Sequence, residues 1–262
     1  MFDNTPPVLV NAGVSRTLKP VHADERHGNE GIPSNALGTL VHHMLRAVVF
    51  DLDYTLAVPD RDRATILEEA SAKAGGPSLS RSAYLEAHRR NLTRETREPI
   101  FEDLLADRET EADPGAVARA YRETIADALR PHPGVEAMLA DLRGEYRIGL
   151  LTNGPVRAQR DKLTTLGWED AFDAALVTGE LEAGKPDPRA FEAILAELEV
   201  SPDEAVYVGD ELEADLEGAT GVGMRAIQVL REGGPGPDPR ASAHLEGDTL
   251  ARELPGVLAD LE

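Results

Sequence analysis

Cysteine is absent from all 262 residues, which excludes disulfides, zinc–thiolate sites and thiol catalysis. Lysine is nearly absent too: only Lys19, Lys73, Lys162 and Lys185 occur, and arginine carries the remaining positive charge. No apolar run approaches the roughly 20 residues a membrane span needs, so no membrane association is expected. The opening stretch MFDNTPPVLVNAG lacks the basic start and apolar stretch of a secretory signal, which points to a cytoplasmic protein. Acid is what abounds. Asp plus Glu number 48 against 27 Lys plus Arg, a formal net charge of −21, and such a surface repels nucleic-acid backbones. The acids are scattered through every segment rather than gathered in a tail, which fits adaptation to molar salt better than an acidic docking surface. With 41% hydrophobic residues, the chain has enough apolar content for one large or two small domains.

Residues 1–43 show no sustained periodicity and carry Pro6, Pro7, Pro20 and Pro33. They read as a disordered head or a mis-started segment, with Met44 as the expected start. From Ala47 the pattern changes. Ala47–Phe50, Arg147–Leu151 and Ala205–Val208 are short apolar runs of the kind buried on both faces of a parallel sheet. Ala174–Val177 and Arg225–Val229 are weaker strand candidates. Helical spacing recurs between them, in Val135, Met138, Leu139 and Leu142, and in Phe191, Ile194, Leu195 and Leu198. This alternation predicts an α/β doubly wound parallel sheet. Residues 59–130 depart from it: Ile66, Leu67 and Ala70, then Tyr84, Leu85 and His88, then Val117, Tyr121, Ile125 and Leu129 predict helices with no strand among them. The expected organisation is a core of residues 44–58 and 131–262 with a helical cap, 59–130, over the carboxyl edge of the sheet.

Ligand sites in open α/β sheets lie beyond the carboxyl ends of the strands. Those positions hold Asp51 and Asp53, then Thr152 and Asn153, then Gly209 and Asp210, with Lys185 in an adjacent loop. Asp51 and Asp210 offer hard oxygen ligands for Mg²⁺. The Asp51 carboxylate is placed to attack phosphorus, giving an aspartyl-phosphate. Asp53, two residues on, suits protonation of the leaving oxygen and later activation of water. Thr152 and the backbone N–H groups that follow, including Asn153, would hold phosphoryl oxygens, and Lys185 would stabilise the charge of the transferring group. Singly each piece has an ordinary structural explanation. Four pieces at strand ends or adjacent loops, in order around one candidate ion, point to a site.

Phe50-Asp51-Leu52-Asp53-Tyr54-Thr55-Leu56 resembles the first motif of the haloacid dehalogenase-like hydrolases. Leu151-Thr152-Asn153-Gly154, Gly184-Lys185-Pro186-Asp187-Pro188 and Gly209-Asp210-Glu211-Leu212-Glu213-Ala214-Asp215 resemble the other three, in order. The resemblance covers the chain from about Met44 onward and implies a Rossmann-like core, Mg²⁺ as cofactor and Asp51 as nucleophile. It implies further that the Asp53 backbone carbonyl joins Asp51 and Asp210 as a metal ligand, and that Asp215 stands behind them or holds Lys185. The helical insert resembles the small helical cap of one subfamily. Dehalogenases of the family lack the second acid of the first motif. Asp53 therefore favours a phosphatase acting on a small phosphorylated metabolite, with a phosphomutase or a non-catalytic scaffold as alternatives. Tyr54 stands where the family commonly has glycine; it is expected to narrow the cleft without touching the catalytic set.

Other features carry less. Gly179–Lys185 matches P-loop spacing until Pro186, which replaces the required Ser or Thr. The seven histidines show no ligand spacing. Trp168 and Phe172 are expected in the core. His88, Arg89, Arg90, Arg94 and Arg97 concentrate positive charge, for which pairing with Glu86, Glu95 and Glu98 on a helix surface is expected, contact with an anionic substrate being the alternative. The substrate stays open among phosphoglycolate, sugar phosphates, nucleoside monophosphates and flavin-pathway phosphates.

Overall fold

The structure is a computed structural model that describes residues 44–262; the expected head, 1–43, lies outside them. Eight strands and nine helices follow in this order: β1 Ala47–Phe50, β2 Ala57–Pro59, α1 Arg63–Lys73, α2 Arg81–Arg90, α3 Glu98–Leu105, α4 Pro114–Ala128, β3 Leu129–Pro131, α5 Val135–Leu142, β4 Arg147–Thr152, α6 Val156–Leu166, β5 Ala174–Val177, α7 Pro188–Leu198, β6 Ala205–Gly209, α8 Gly218–Gly221, β7 Arg225–Leu230, β8 Ala243–Glu246 and α9 Leu250–Asp260. A π-helical turn, Leu212–Glu217, leads into α8.

Six strands form one sheet in the order β5-β4-β1-β6-β7-β8, and every pairing in it is parallel. The period-two alternation of the strands divides the core between two faces. Val48, Phe50, Ile148, Leu150, Val206 and Val208 pack with Val135, Leu139, Leu163 and Leu254 of α5, α6 and α9. Ala47, Val49, Leu151, Ala205 and Tyr207 pack with Phe191, Ile194 and Leu198 of α7. The fold is thus α/β, Rossmann-like and doubly wound. From β1 the chain runs outward through β4 to β5, then returns beside β1 for β6, β7 and β8. The carboxyl end of β1 therefore stands at the topological switch point, where open sheets of this kind place ligands.

Helices α1 to α4 pack around a separate cluster that includes Ile66, Leu67, Ile100 and Ile125. Tyr121 stands at its centre, with ring centroids 5.0 Å from Tyr84 and 5.7 Å from Phe101. Asp62, Ser80 and Asp113 cap α1, α2 and α4 by accepting hydrogen bonds from backbone N–H groups.

Three expectations are corrected here. Leu129 is not helical: α4 ends at Ala128, and Leu129 opens β3 with extended dihedrals (φ −71°, ψ 131°). Pro131 disfavours helical backbone at Arg130, so the helix stops short of it. Strands do occur at the ends of the helical stretch, where β2 and β3 pair antiparallel with Ala57 opposite Pro131. Three residues are too few to show a period. The sheet also has a further strand, β8, with Leu245 as its one buried residue; as an edge strand it leaves no apolar run to read.

Candidate active site

Asp51 immediately follows β1 and is buried. Lys185, from the loop before α7, reaches it with an Nζ–Oδ1 distance of 2.8 Å, and also donates to Asp215 Oδ1 at 2.7 Å and to the Tyr207 hydroxyl at 2.7 Å. All three N–H groups of the ammonium are used. Tyr207 in turn donates to the Leu151 carbonyl (2.8 Å), and Asp215 Oδ2 accepts the Glu211 N–H (2.9 Å). The Lys185 backbone is clamped as well: its N–H donates to Asn153 Oδ1 (2.9 Å), and its carbonyl accepts from Asn153 Nδ2 (3.0 Å). The Asn153 carboxamide is thus spent on positioning Lys185, and its backbone N–H is the group expected to meet phosphate.

Asp210, at the end of β6, accepts from Arg231 Nε on Oδ2 (2.8 Å). Asp51, Asp210 and Asp215 each place a carboxylate oxygen within 4.8 Å of the others. Among the described residues no hydrogen bond reaches Asp51 Oδ2 or Asp210 Oδ1. Three carboxylates here face two cations, Lys185 and Arg231, and the imbalance shows at Asp51 and Asp210. Burial pushes the Asp51 carboxyl up to about 7, Asp215 and Asp53 adding to the effect and Lys185 opposing it. Burial also holds Asp210 well above the usual carboxylate range, with Asp215 and Asp51 adding. Hard oxygen donors crowded into a region short of positive charge suit Mg²⁺, and the residues present fit it.

Asp53 turns to another set of partners. Arg63 donates to Oδ1 at 2.6 Å, while Gln159 (3.0 Å) and Lys162 donate to Oδ2. Burial alone would raise this carboxyl, but Lys162 and Arg63 outweigh it and hold Asp53 well below its usual range. The same Gln159 Nε2 donates to the Thr152 hydroxyl (2.7 Å), which leaves the Thr152 O–H free to donate elsewhere. Burial pushes Lys162 down to about 7, against the pull of Asp53.

The structure therefore brings Asp51, Asp210, Asp215 and Lys185 together, with Asp53, Thr152 and Asn153 around them. Arg63, Gln159, Lys162, Tyr207 and Arg231 were not anticipated. Lys162 did have a signal, as one of four lysines in a chain that otherwise uses arginine. Tyr54 has its ring beneath Arg231, the partner of Asp210, with Cζ 4.5 Å from the centroid. Its φ of 64° is a left-handed conformation that suits glycine better than tyrosine.

A family model of haloacid dehalogenase-like hydrolases matches residues 45–223. The chain belongs to that family. The hydrolase is 32% identical over 203 residues to a glyceraldehyde 3-phosphate phosphatase from Methanopyrus kandleri, a match covering 72% of this chain and 85% of that one. It is 43% identical over 115 residues to a phosphoserine phosphatase from Thermus thermophilus, covering 44% and 46% of the two chains; that match spans about half of the relative's length. Among solved structures it resembles a 2-haloacid dehalogenase from Pseudomonas syringae pv. Tomato (TM-score 0.62, 28% identity, covering 84% of this hydrolase and 100% of that chain). No helix among its described residues is long and apolar enough to cross a membrane.

Proposed function

We propose that this hydrolase is a Mg²⁺-dependent phosphatase that cleaves small phosphomonoesters through an aspartyl-phosphate on Asp51. The observation that carries the reading is the geometry at Asp51: one carboxylate oxygen is fixed by Lys185 at 2.8 Å, and the other is left unbonded among the described residues. Asp51, Asp210 and the Asp53 backbone carbonyl would hold the ion. Bound there, Mg²⁺ would neutralise charge between the carboxylates and the incoming phosphate dianion.

Asp51 then forms a bond to phosphorus as the bond to the substrate oxygen breaks. The departing oxygen takes a proton that Lys162, balanced near neutrality between its charged and neutral forms, passes through Asp53. Water next attacks the phosphorus of the acyl phosphate, Asp53 accepts its proton, and Asp51 is released with inorganic phosphate. Thr152, through its free O–H, and Lys185 hold the phosphoryl oxygens. Asp53 is also what favours a phosphatase over the dehalogenase chemistry of its structural relative. Within this reading, residues 59–130 act as a cap over the core formed by 44–58 and 131–262, and the protein works in the cytoplasm.

The test is phosphate release from p-nitrophenyl phosphate with and without Mg²⁺. Release should require the ion and vanish in Asp51→Asn while circular dichroism stays native. Retained turnover in that variant removes Asp51 as nucleophile.

A further inference from the structure

The cavity above Asp51 has a volume of about 530 Å³, and the same cavity is lined by Asp210, Arg63, Arg81, Arg97 and Tyr121. A small metabolite fits such a space. Its two ends differ in charge. The floor holds the carboxylates, whereas the wall formed by α1, α2, α4 and the loop before α3 is basic.

Arg97 is 6% exposed, yet its Nε and Nη1 have no hydrogen-bond partner, and no ion pair with a described residue forms at Arg97 or Arg81. Arg97 instead lies over the ring of Tyr121 at 5.3 Å, and Arg81 over that of Tyr84 at 5.2 Å. The Tyr121 hydroxyl, fully buried, is also without a partner, as is Arg63 Nε. Asp53 is the one carboxylate paired within this wall, and Arg63 and Lys162 already share it. His88, stacked on Tyr84, registers the excess: burial, then Arg97 and Lys162, push it down to about 3.

The expected pairing of this arginine run with neighbouring glutamates is therefore only partly correct. Arg90 does pair outward, with Glu86 and Asp103 at 3.1 Å each. Arg97 turns inward and stays unpaired in a chain with 48 acidic residues. A buried guanidinium without a counter-charge is costly to keep. An oriented cation on an aromatic platform is how a planar anion is recognised.

We propose that Arg81, Arg97 and Tyr121 form a second anion subsite, so that the substrate is a phosphomonoester carrying another anionic group, a carboxylate or a second phosphate, on a short carbon skeleton. This rests on the phosphatase reading: the ester phosphate goes to the Asp51 end and the second anion to the arginine end. Both guanidiniums line the cavity and would face the second anion, whether carboxylate or phosphate.

The test compares matched substrates in Mg²⁺: 3-phosphoglycerate against glycerol 3-phosphate, and glucose 1,6-bisphosphate against glucose 6-phosphate, read as ratios of kcat/KM. At least one ratio should exceed about 30, and the larger identifies the second anion. Binding without turnover is read by calorimetry of phosphonoacetate against methylphosphonate, with the tighter binding expected for the carboxylated probe if the second anion is carboxylate. Arg97→Gln and Arg81→Gln should each bring the favoured ratio below about 3, and Arg90→Gln, on the outer face, should keep it. If Arg97→Gln does not fold, the half-buried Arg81 and the wild-type ratios still decide. Hydrolysis of p-nitrophenyl phosphate with both ratios near 1 overturns the subsite and leaves the phosphatase reading intact. No hydrolysis of any phosphate overturns that reading instead, and the phosphonate comparison then judges the subsite alone.

Discussion

A methyl group on Gly209 would lie 2.4 Å from Oδ2 of Asp215. The end of β6 is bare so that the Asp215 carboxylate can fold back against it and meet Lys185. Asp215 is short and 1% exposed, so it has nowhere to move. Gly209→Ala should therefore destabilise by about 1–3 kcal/mol, a fall in Tm of roughly 3–10 °C. Displacing Asp215 also loosens Lys185, and kcat should drop on the order of 10²-fold. Thermal melts and steady-state kinetics of the variant check both effects. An unchanged Tm would mean that the strand end yields.

Lys162 and Asp53 are coupled through one hydrogen bond, and Lys162 also donates to Gln159 Oε1 at 2.6 Å. Lys162→Met removes the larger of the two cationic influences that hold the Asp53 carboxyl down. The acid limb of kcat/KM, where Asp53 becomes protonated, should move to higher pH. Arg63 still pairs with Asp53, so the loss of stability should stay at about 1–3 kcal/mol. A pH–rate profile with the acid limb unmoved would show that another group sets it.

What the sequence displayed and what it hid follow from contact distance along the chain. β1, β4 and β6 are covered on both faces, so each is an apolar run, and Asp51, Thr152 and Asp210 announce themselves by following or ending one. The surroundings of Asp53 have no such signature, because Gln159 and Lys162 lie 106 and 109 residues away and look like polar positions on an ordinary helix. The inward turn of Arg97, named only within a basic run, was hidden for a different reason. Arg97 sits among surface arginines, and only its stacking on Tyr121, placed by the packing of α4, draws it inward.

His88 gives the fold an acid-sensitive element. Its unfolded pKa lies near 6.5, and in the folded chain burial, then Arg97 and Lys162, bring it to about 3, with Asp53 opposing and Arg81 adding. Between those values the unfolded chain binds more protons than the folded one. The stability owed to the neutral ring is complete above pH 6.5 and is lost as the pH falls toward 3. At about 1.4 kcal/mol per unit, the loss reaches a few kcal/mol. His88→Gln should flatten the dependence of Tm on pH between 6 and 4. An unchanged slope would assign the acid lability to other groups.

The shortage of positive charge around Asp51, Asp210 and Asp215 makes the fold itself a sensor of the ion. A cation that binds only the folded chain stabilises it by about 2.7 kcal/mol at a hundredfold excess over Kd, or roughly 5–10 °C in Tm. Asp210 pairs with Arg231 through Oδ2 at 2.8 Å, which leaves Oδ1 available to a cation. Mg²⁺ should therefore raise Tm over an EDTA-treated sample, and Asp210→Asn should erase most of that rise. Asp187→Asn, at a half-buried helix cap outside the cluster, is the control and should retain it. Loss of the rise in both variants, or in neither, would place the ion away from the strand ends and remove the basis for assigning Asp51 its role.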